Sequence, residues 1–550
     1  MAVLWIILLM VGPMLWAQQG CVNVPTWSAC DLVFELTLQD AMPNNAARVT
    51  LHGEFRSPTH KTYLIDAFRD GERRLVLRFA PTEAGVWDYK LTSSIARLDG
   101  ATGQLGATES GAPGFVRNAN AHHFATANAK PHLWMAAPVD RFAAIPRADF
   151  DRVVAQRAGE SYTHLRVTLE PGIDLTEAAE RVRAINAQGM VADLVLAALP
   201  ASPGSDESAR WVTDMVARFS AFNITWAGVS AFEQIPHGRA VAKQVGQWIQ
   251  KLDAYARPRA AMASVTSAPT IGDGWVNLRV YGTPNVDIGA VEHQFFQLPG
   301  VNTGIQSRQD LWNATMNGQY PASGAGPYMK VWFDFLSQSR YWELEPYFDV
   351  DGARAVALEG VEYIVYLETP RLVELTVEKH GYDVLWMNPA NGETVRGKEY
   401  NGEHFTGEPP DKTHDWVLRV SREGRKEGML RSYKFDSRPV PIQEVEQNPL
   451  RVPYEMVAPE GTELSLSKPA KFAIKVKRDS RATRSLLIEW MGEVVVDGEG
   501  YRVVGTGREG TLSIPRSIAS KFPAVLSLRV TLLNANGKAY TLDRVYKLVP

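Results

Sequence analysis

Residues 223–233 read NITWAGVSAFE, and Gln234, Ile235, Pro236, His237 and Gly238 follow. A short apolar run holding Trp226 ends in one carboxylate, Glu233, and then breaks at a proline and a glycine. Helical patterns flank it, SDESARWVTDMVARFSAF (205–222) before and GRAVAKQVGQWIQKLDAYA (238–256) after. An apolar strand between amphipathic helices is the unit of a parallel sheet, whose functional side chains gather at the carboxyl ends of the strands. Glu233 is therefore read as the acid that a fourth strand delivers into a cleft.

The same alternation extends upstream. PHLWMAAP (131–138), THLRVTLE (163–170) and MVADLVLAAL (190–199) read as strands one to three. ADFDRVVAQRAGES (148–161) and DLTEAAERVRAINAQG (174–189) read as helices, the second with a glycine stop. Downstream, AMASVT (261–266) is expected as strand five and VDIGAVEHQF (286–295) as strand six. Only LPGVNTG (298–304) precedes the helix SRQDLWNATMNG (307–318), so strand seven is short or missing. PYMKVWFDF (327–335) is expected as the last strand. Four clean repeats in a row predict a TIM-type (β/α) barrel over 119–350, incomplete in its second half.

On either side the pattern is β. LVFELTL, ARVTLHGEF, TYLIDAF, RLVLRFA and VWDYKLTS alternate with period two between turn residues, predicting an N-terminal β-sandwich over 21–118. Further alternating strands predict a β-sandwich domain over 351–438 and an Ig-like β-sandwich over 439–550, with Pro439, Pro441 and Pro449 marking the linker. The fold class is thus multidomain, α/β plus all-β.

Phe55 and Pro58, the run Ala67–Phe68–Arg69–Asp70–Gly71, and RFAPTEAGVWDY (78–89) resemble the N-terminal sandwich of a family of secreted glycoside hydrolases. In that family the sandwich, a domain of unknown function, precedes a clan A-like (β/α)8 barrel. YIVYLE (363–368) with VLWMNPANGE (384–393) resembles the small β domain that follows the barrel there. The resemblance implies cleavage of glycosidic bonds in a polysaccharide, with the acid/base glutamate at the end of strand four, the position of Glu233. The family carries Asn before that glutamate, whereas this chain carries Phe232. Its strand-seven nucleophile has no evident counterpart, and Glu292 is the substitute nominated.

Glycoside hydrolysis needs two carboxyl groups on one scissile bond, about 5 Å apart for retention or roughly 6.5–9.5 Å for inversion. Glu233 and Glu292 are the candidate catalytic pair. Arg166, Glu170, His293 and Asp334 are candidate substrate-binding residues, with Trp134, Trp226 and Trp332 as a stacking platform. Each has a plainer reading, as salt bridge, structural histidine or core. The alternative to catalysis is a degenerate barrel that holds glycan without cutting it, or an adhesion module.

Other chemistries lack their motifs. A formal charge of −3 gives no basic footprint for nucleic acid. No G-x-S-x-G elbow, P-loop, dinucleotide fingerprint or H-E-x-x-H occurs, so no cofactor and no metal are expected. His122 and His123 would point apart in a strand and could not readily share an ion. The first 20 residues, MAVLWIILLMVGPMLWAQQG, read as a signal peptide for a secreted, periplasmic or cell-surface protein, with a retained anchor as the rival reading. No later stretch is apolar enough to span a bilayer. Cys21 and Cys30 are expected to form a disulfide, lipidation of Cys21 being the alternative.

Overall fold

The structure, a computed structural model, describes residues 21–41, 49–139, 141–199, 201, 204–234, 238–264, 266–282, 286–324, 326–422, 445–465, 469–477, 486–496, 499–512, 524–534 and 538–549. The apolar run 1–20, with Pro439 and Pro441 of the expected linker, lies outside them. Two compact units result: residues 1–114 with 210–222 and 251–256, and the remainder.

The second unit contains two four-stranded parallel sheets. The first holds β1 (Ala136–Pro138), β2 (His164–Leu169), β3 (Val191–Leu196) and β4 (Ile224–Val229). The second holds β5 (Met262–Ala263), β6 (Arg279–Tyr281), β7 (Gly300–Asn302) and β8 (Gln319–Pro321). Parallel bridges Trp226–Arg259 and Ser230–Met262 join the sheets on one side, and Ala136–Ala322 joins them on the other. The strands therefore follow one another in chain order around a closed ring. Each is followed by a helix: α1 (Arg147–Gly159), α2 (Leu175–Ala187), α3 (Asp206–Phe219), α4 (Gly238–Leu252), α5 (Ala268–Ile271), α6 (Val286–Phe295), α7 (Arg308–Met316) and α8 (Tyr328–Leu336).

The first four units fall where the periodicity puts them. The second half differs. VDIGAVEHQF is helix α6, not strand six; Ile288, Val291, Glu292 and Phe295 recur at helical spacing. PYMKVWFDF is helix α8, with Met329, Trp332, Phe335 and Leu336 buried three and four residues apart. The true sixth and eighth strands are three-residue segments, RVY and QYP, and GVN supplies a seventh. Segments this short carry almost no alternation to read.

Strand β4 is itself irregular. Its pairing with β3 shifts register, Trp226 opposing Leu194 but Gly228 opposing Val195. Gly228 has φ +70°, and a Cβ there would lie 1.9 Å from the Ala260 carbonyl oxygen. One extra residue and a left-handed glycine make a bulge, after which the ladder resumes through Val229 and ends at the Ser230–Met262 bridge. The chain then enters a 3₁₀ turn, Phe232–Gln234, so Glu233 stands beyond the strand rather than on it.

In the first unit, a five-stranded sheet pairs Val24–Pro25, Thr102–Thr108, Gly85–Ser93, Leu51–Arg56 and Thr62–Asp66. A three-stranded sheet pairs Cys30–Glu35, Arg74–Phe79 and Phe68–Arg69. Phe55 stacks on Phe79 at 4.3 Å, and Trp87 meets Phe79 edge-on at 5.0 Å. Trp87 Nε1 donates to the Glu83 carbonyl, and a side chain at Gly85 would strike Pro58. The motif residues thus form one packed corner. Cys21 and Cys30 are joined in a disulfide, Cα–Cα 5.4 Å.

Beyond the ring, residues 345–421 form an eight-stranded, largely antiparallel sheet, and 445–549 form a six- and a three-stranded sheet around a common apolar core. Among the described residues no helix is long and apolar enough to cross a membrane.

Candidate functional site

The carboxyl ends of the ring strands surround a cleft of about 730 Å³. Pro138 and Val139 follow from β1, Thr168 and Glu170 from β2, Val195 and Ala197 from β3, Ser230 from β4, Thr303 from β7 and Ala322 from β8. Arg141, Phe142 and Ile173, on the loops after β1 and β2, complete much of the rim.

Register builds its floor. Arg166, Asp193 and Thr225 are directly paired across β2, β3 and β4. Arg166 Nε donates to Asp193 Oδ2 at 2.8 Å, and Thr225 Oγ1 donates to Asp193 Oδ1 at 2.7 Å. Asp193 is wholly enclosed, so its charge is tolerable only because Arg166 and Thr225 satisfy it. Arg166 Nη1, in the cleft wall, has no hydrogen-bond partner among the described residues. Glu170, exposed at the mouth, is the one carboxylate among the described lining residues.

Of the residues singled out in the sequence, Arg166 and Glu170 therefore meet in this cleft. Glu233 is buried in its 3₁₀ turn, and its carboxylate accepts from Ser264 N at 2.8 Å and Ser264 Oγ at 3.0 Å. Glu292 lies on α6 and not on a strand. It accepts from Thr266 Oγ1 and, at 3.0 Å, from Ser267 Oγ, and it faces Arg279 Nη1 at 3.5 Å. Burial pushes its carboxyl up from the ordinary range, while Arg279 and the two hydroxyls pull the other way. Neither Glu233 nor Glu292 is among the described cleft residues.

The tryptophans form no platform in the cleft. Trp134 is enclosed and stacks on His164 at 3.6 Å, and Trp226 is enclosed on β4. Trp332 belongs to helix α8 and donates Nε1 to Thr315 Oγ1 at 2.8 Å. Asp334, on the same helix, is exposed and pairs with Lys330 one turn away. As strand residues both would stand near a strand end; helical geometry turns Trp332 inward and Asp334 outward.

His293 also lies on α6, in a cluster the sequence did not reveal. Its Nε2 is 2.5 Å from Glu345 Oε2, and its ring stacks on His122 at 3.7 Å. His122 Nδ1 is 3.1 Å from Glu345 Oε2, and His123 Nε2 is 3.6 Å from Oε1. The expectation that His122 and His123 diverge fails because His122 is in a turn. Asn120 and Ala121 have positive φ, and only His123 begins the strand His123–Thr126. Burial lowers the His293 pKa to about 4, with His122 adding to the effect. Burial also pushes Glu345 up, but its contacts with His122, His123 and His293 outweigh it and hold the carboxyl well below its usual range. Paired histidines separated by more than 160 residues left no local spacing to detect.

Comparison with known proteins agrees with the fold. A domain of unknown function, DUF5060, matches residues 23–94. No curated protein matches the chain in sequence. A Bacteroides vulgatus protein provisionally named a glycoside hydrolase superposes with a TM-score of 0.61 at 14% identity, over 73% of this chain and 99% of its own. A family 5 glycoside hydrolase from the same organism gives a TM-score of 0.49 at 12% identity, over 59% and 96% of the two chains. The chain is similar in structure to glycoside hydrolases at low sequence identity: it has a glycoside-hydrolase-like fold, with a DUF5060-like segment at its front.

Proposed function

We propose that the protein binds a carbohydrate polymer on a TIM-type (β/α)8 barrel without cleaving it. The observation that carries this reading is the inventory of the cleft. Two-carboxylate hydrolysis needs both groups facing one bond. The cleft's described lining offers Glu170 alone, while Glu233 and Glu292 are satisfied elsewhere by Ser264 and by Thr266, Ser267 and Arg279. The Phe232–Glu233 pair, where the resembling family carries Asn-Glu, points the same way. Glu170, exposed at the mouth, then serves as the hydrogen-bonding group to sugar hydroxyls, with Arg166 and Phe142 forming the wall behind it. Export through the N-terminal apolar run is part of the proposal, and the Cys21–Cys30 disulfide suits an oxidising compartment.

The test is a panel of polysaccharides assayed in parallel for retention of the full chain and for release of reducing sugar. Retention without release is expected, and Glu170→Ala should weaken retention by about tenfold, the loss of one or two hydrogen bonds. Sugar release by the wild type that Glu233→Gln abolishes would establish a hydrolase instead.

A further inference from the structure

We infer that His122, His293 and Glu345 form a divalent-metal site, with His123 as a fourth donor, and that its ion is Zn²⁺ or a close equivalent. Ligand atoms of the first three lie within 4.8 Å of one another. The Glu345 carboxylate is their common centre, 3.1 and 3.2 Å from His122 Nδ1 and 3.6 Å from His123 Nε2. Zinc bonds of about 2.0–2.1 Å in a tetrahedral site put neighbouring ligand atoms about 3.3–3.4 Å apart. The spacings from Glu345 to His122 and His123 bracket that value, and the His293–Glu345 contact, at 2.5 Å, has to open.

The hydrogen-bonding around the rings supplies the stronger reason. The Phe296 carbonyl oxygen can only accept, so His122 Nε2, 3.0 Å away, carries the ring hydrogen. His122 Nδ1 then faces the Glu345 carboxylate across a contact that a proton bridges in the free chain and that a metal ion can bridge in its place. His123 is also held, its Nδ1 meeting the Tyr320 hydroxyl at 2.6 Å, with either atom able to donate. That leaves the buried His123 Nε2 aimed at the cluster with no hydrogen-bond partner among the described residues. Nitrogen atoms of three rings and a carboxylate thus converge on one point, a donor set that a divalent cation can bind. Outer partners that fix ring orientation, a carbonyl and a phenol here, are the usual support of imidazole ligands. Imidazoles with one carboxylate favour zinc over calcium or magnesium, which prefer all-oxygen sites.

Position argues for a structural ion. His122 and His123 belong to the hairpin Val116–Thr126 that precedes β1, and His293 lies near the end of α6, just before β7 begins. The cluster thus sits at the amino ends of the strands, opposite the cleft. Glu345 opens the strand Glu345–Tyr347 of the following β domain. Its side chain is 44% exposed, which leaves a path for the ion to enter. One ion would pin three segments remote in sequence.

The test uses tag-free full chain stripped with chelator and titrated with Zn²⁺, read by calorimetry and by melting temperature. Uptake of one ion per chain is expected, with a rise in melting temperature that EDTA reverses. His122→Ala and Glu345→Gln should each weaken binding by at least about tenfold, and Tyr320→Phe, which retains every ligand atom, by on the order of tenfold. Co²⁺ added to the wild-type chain guards against variants that fail to fold, since it should give the intense visible bands of a four-coordinate site. No uptake at micromolar Zn²⁺, a pale six-coordinate Co²⁺ spectrum, or uptake undiminished in the His122→Ala/Glu345→Gln double variant would each overturn the assignment.

Discussion

Asp193 makes no contact with water and is held by Arg166 and Thr225 on the adjoining strands. Arg166→Met leaves that carboxylate buried and unpaired, and urea denaturation should show a loss of about 3–5 kcal/mol. Adding Asp193→Leu should restore most of it, because no charge then remains to be compensated. Glu489 poses the opposite problem. It is buried, both carboxylate oxygens lack hydrogen-bond partners among the described residues, and Glu292 lies near enough to repel it. Burial, then Glu292, raise its pKa well above the ordinary value. The unfolded group titrates near about 4.3, so between that pH and the folded pKa the native state holds the extra proton. Stability therefore falls as pH rises through this window. Glu489→Gln should stabilise the chain by on the order of 1–3 kcal/mol at neutral pH, with the gain vanishing below about pH 4.3. An equal gain at both pH values would show that the effect is packing and not ionisation.

Among the elements, β4 is the one whose local chemistry is most exacting. Gly228→Ala introduces a Cβ against the Ala260 carbonyl and a side chain at φ +70°. A cost of at least about 1–3 kcal/mol is expected from the strained conformation, with more from the clash, measured as a fall in melting temperature. The same stretch shows how far the sequence can be read. The apolar run and its flanking helices place β4 in the ring, but nothing in the run marks where pairing stops, so Glu233 reads as a strand end although it stands three residues past the Ser230–Met262 bridge. Helices α1 to α4 were legible because each is long enough for its apolar stripe to repeat. Strands β5 to β8 were not, because two or three residues hold no period, and apolar density in α6 and α8 drew the strand assignment to them. Arg166, within β2, and Glu170, just past its end, stand at positions that a regular strand makes legible. The His122–His293–Glu345 cluster could not, since only the fold brings it together.

At the scale of the molecule, α7 and the β domain that follows are coupled through one buried acid. Arg308 reaches Asp415 with Nε at 3.0 Å and Nη2 at 2.5 Å, and the Tyr366 hydroxyl donates to the same carboxylate at 2.9 Å. Trp312 of α7 stacks on Tyr366 at 6.0 Å. Asp415→Ala strips the guanidinium of its partner and opens a void beneath Tyr366. A loss of about 3–5 kcal/mol is expected, and ring and β domain should no longer melt in one transition, which calorimetry can check. The ring itself is unequal. β2 and β3 share six paired residues, whereas β5 and β6 share two and β6 and β7 three. Buried Arg279, Asn302 and Gln319 take the place of apolar side chains in the shorter half. Hydrogen exchange should therefore be slowest across β2–β4 and faster across β5–β8. The cleft straddles that seam. On that expectation the Arg166 wall is the rigid side and the Thr303 and Ala322 wall the yielding one, so a polymer of the kind proposed would slip in sideways past the yielding rim, with a dwell time set by how often that rim reopens.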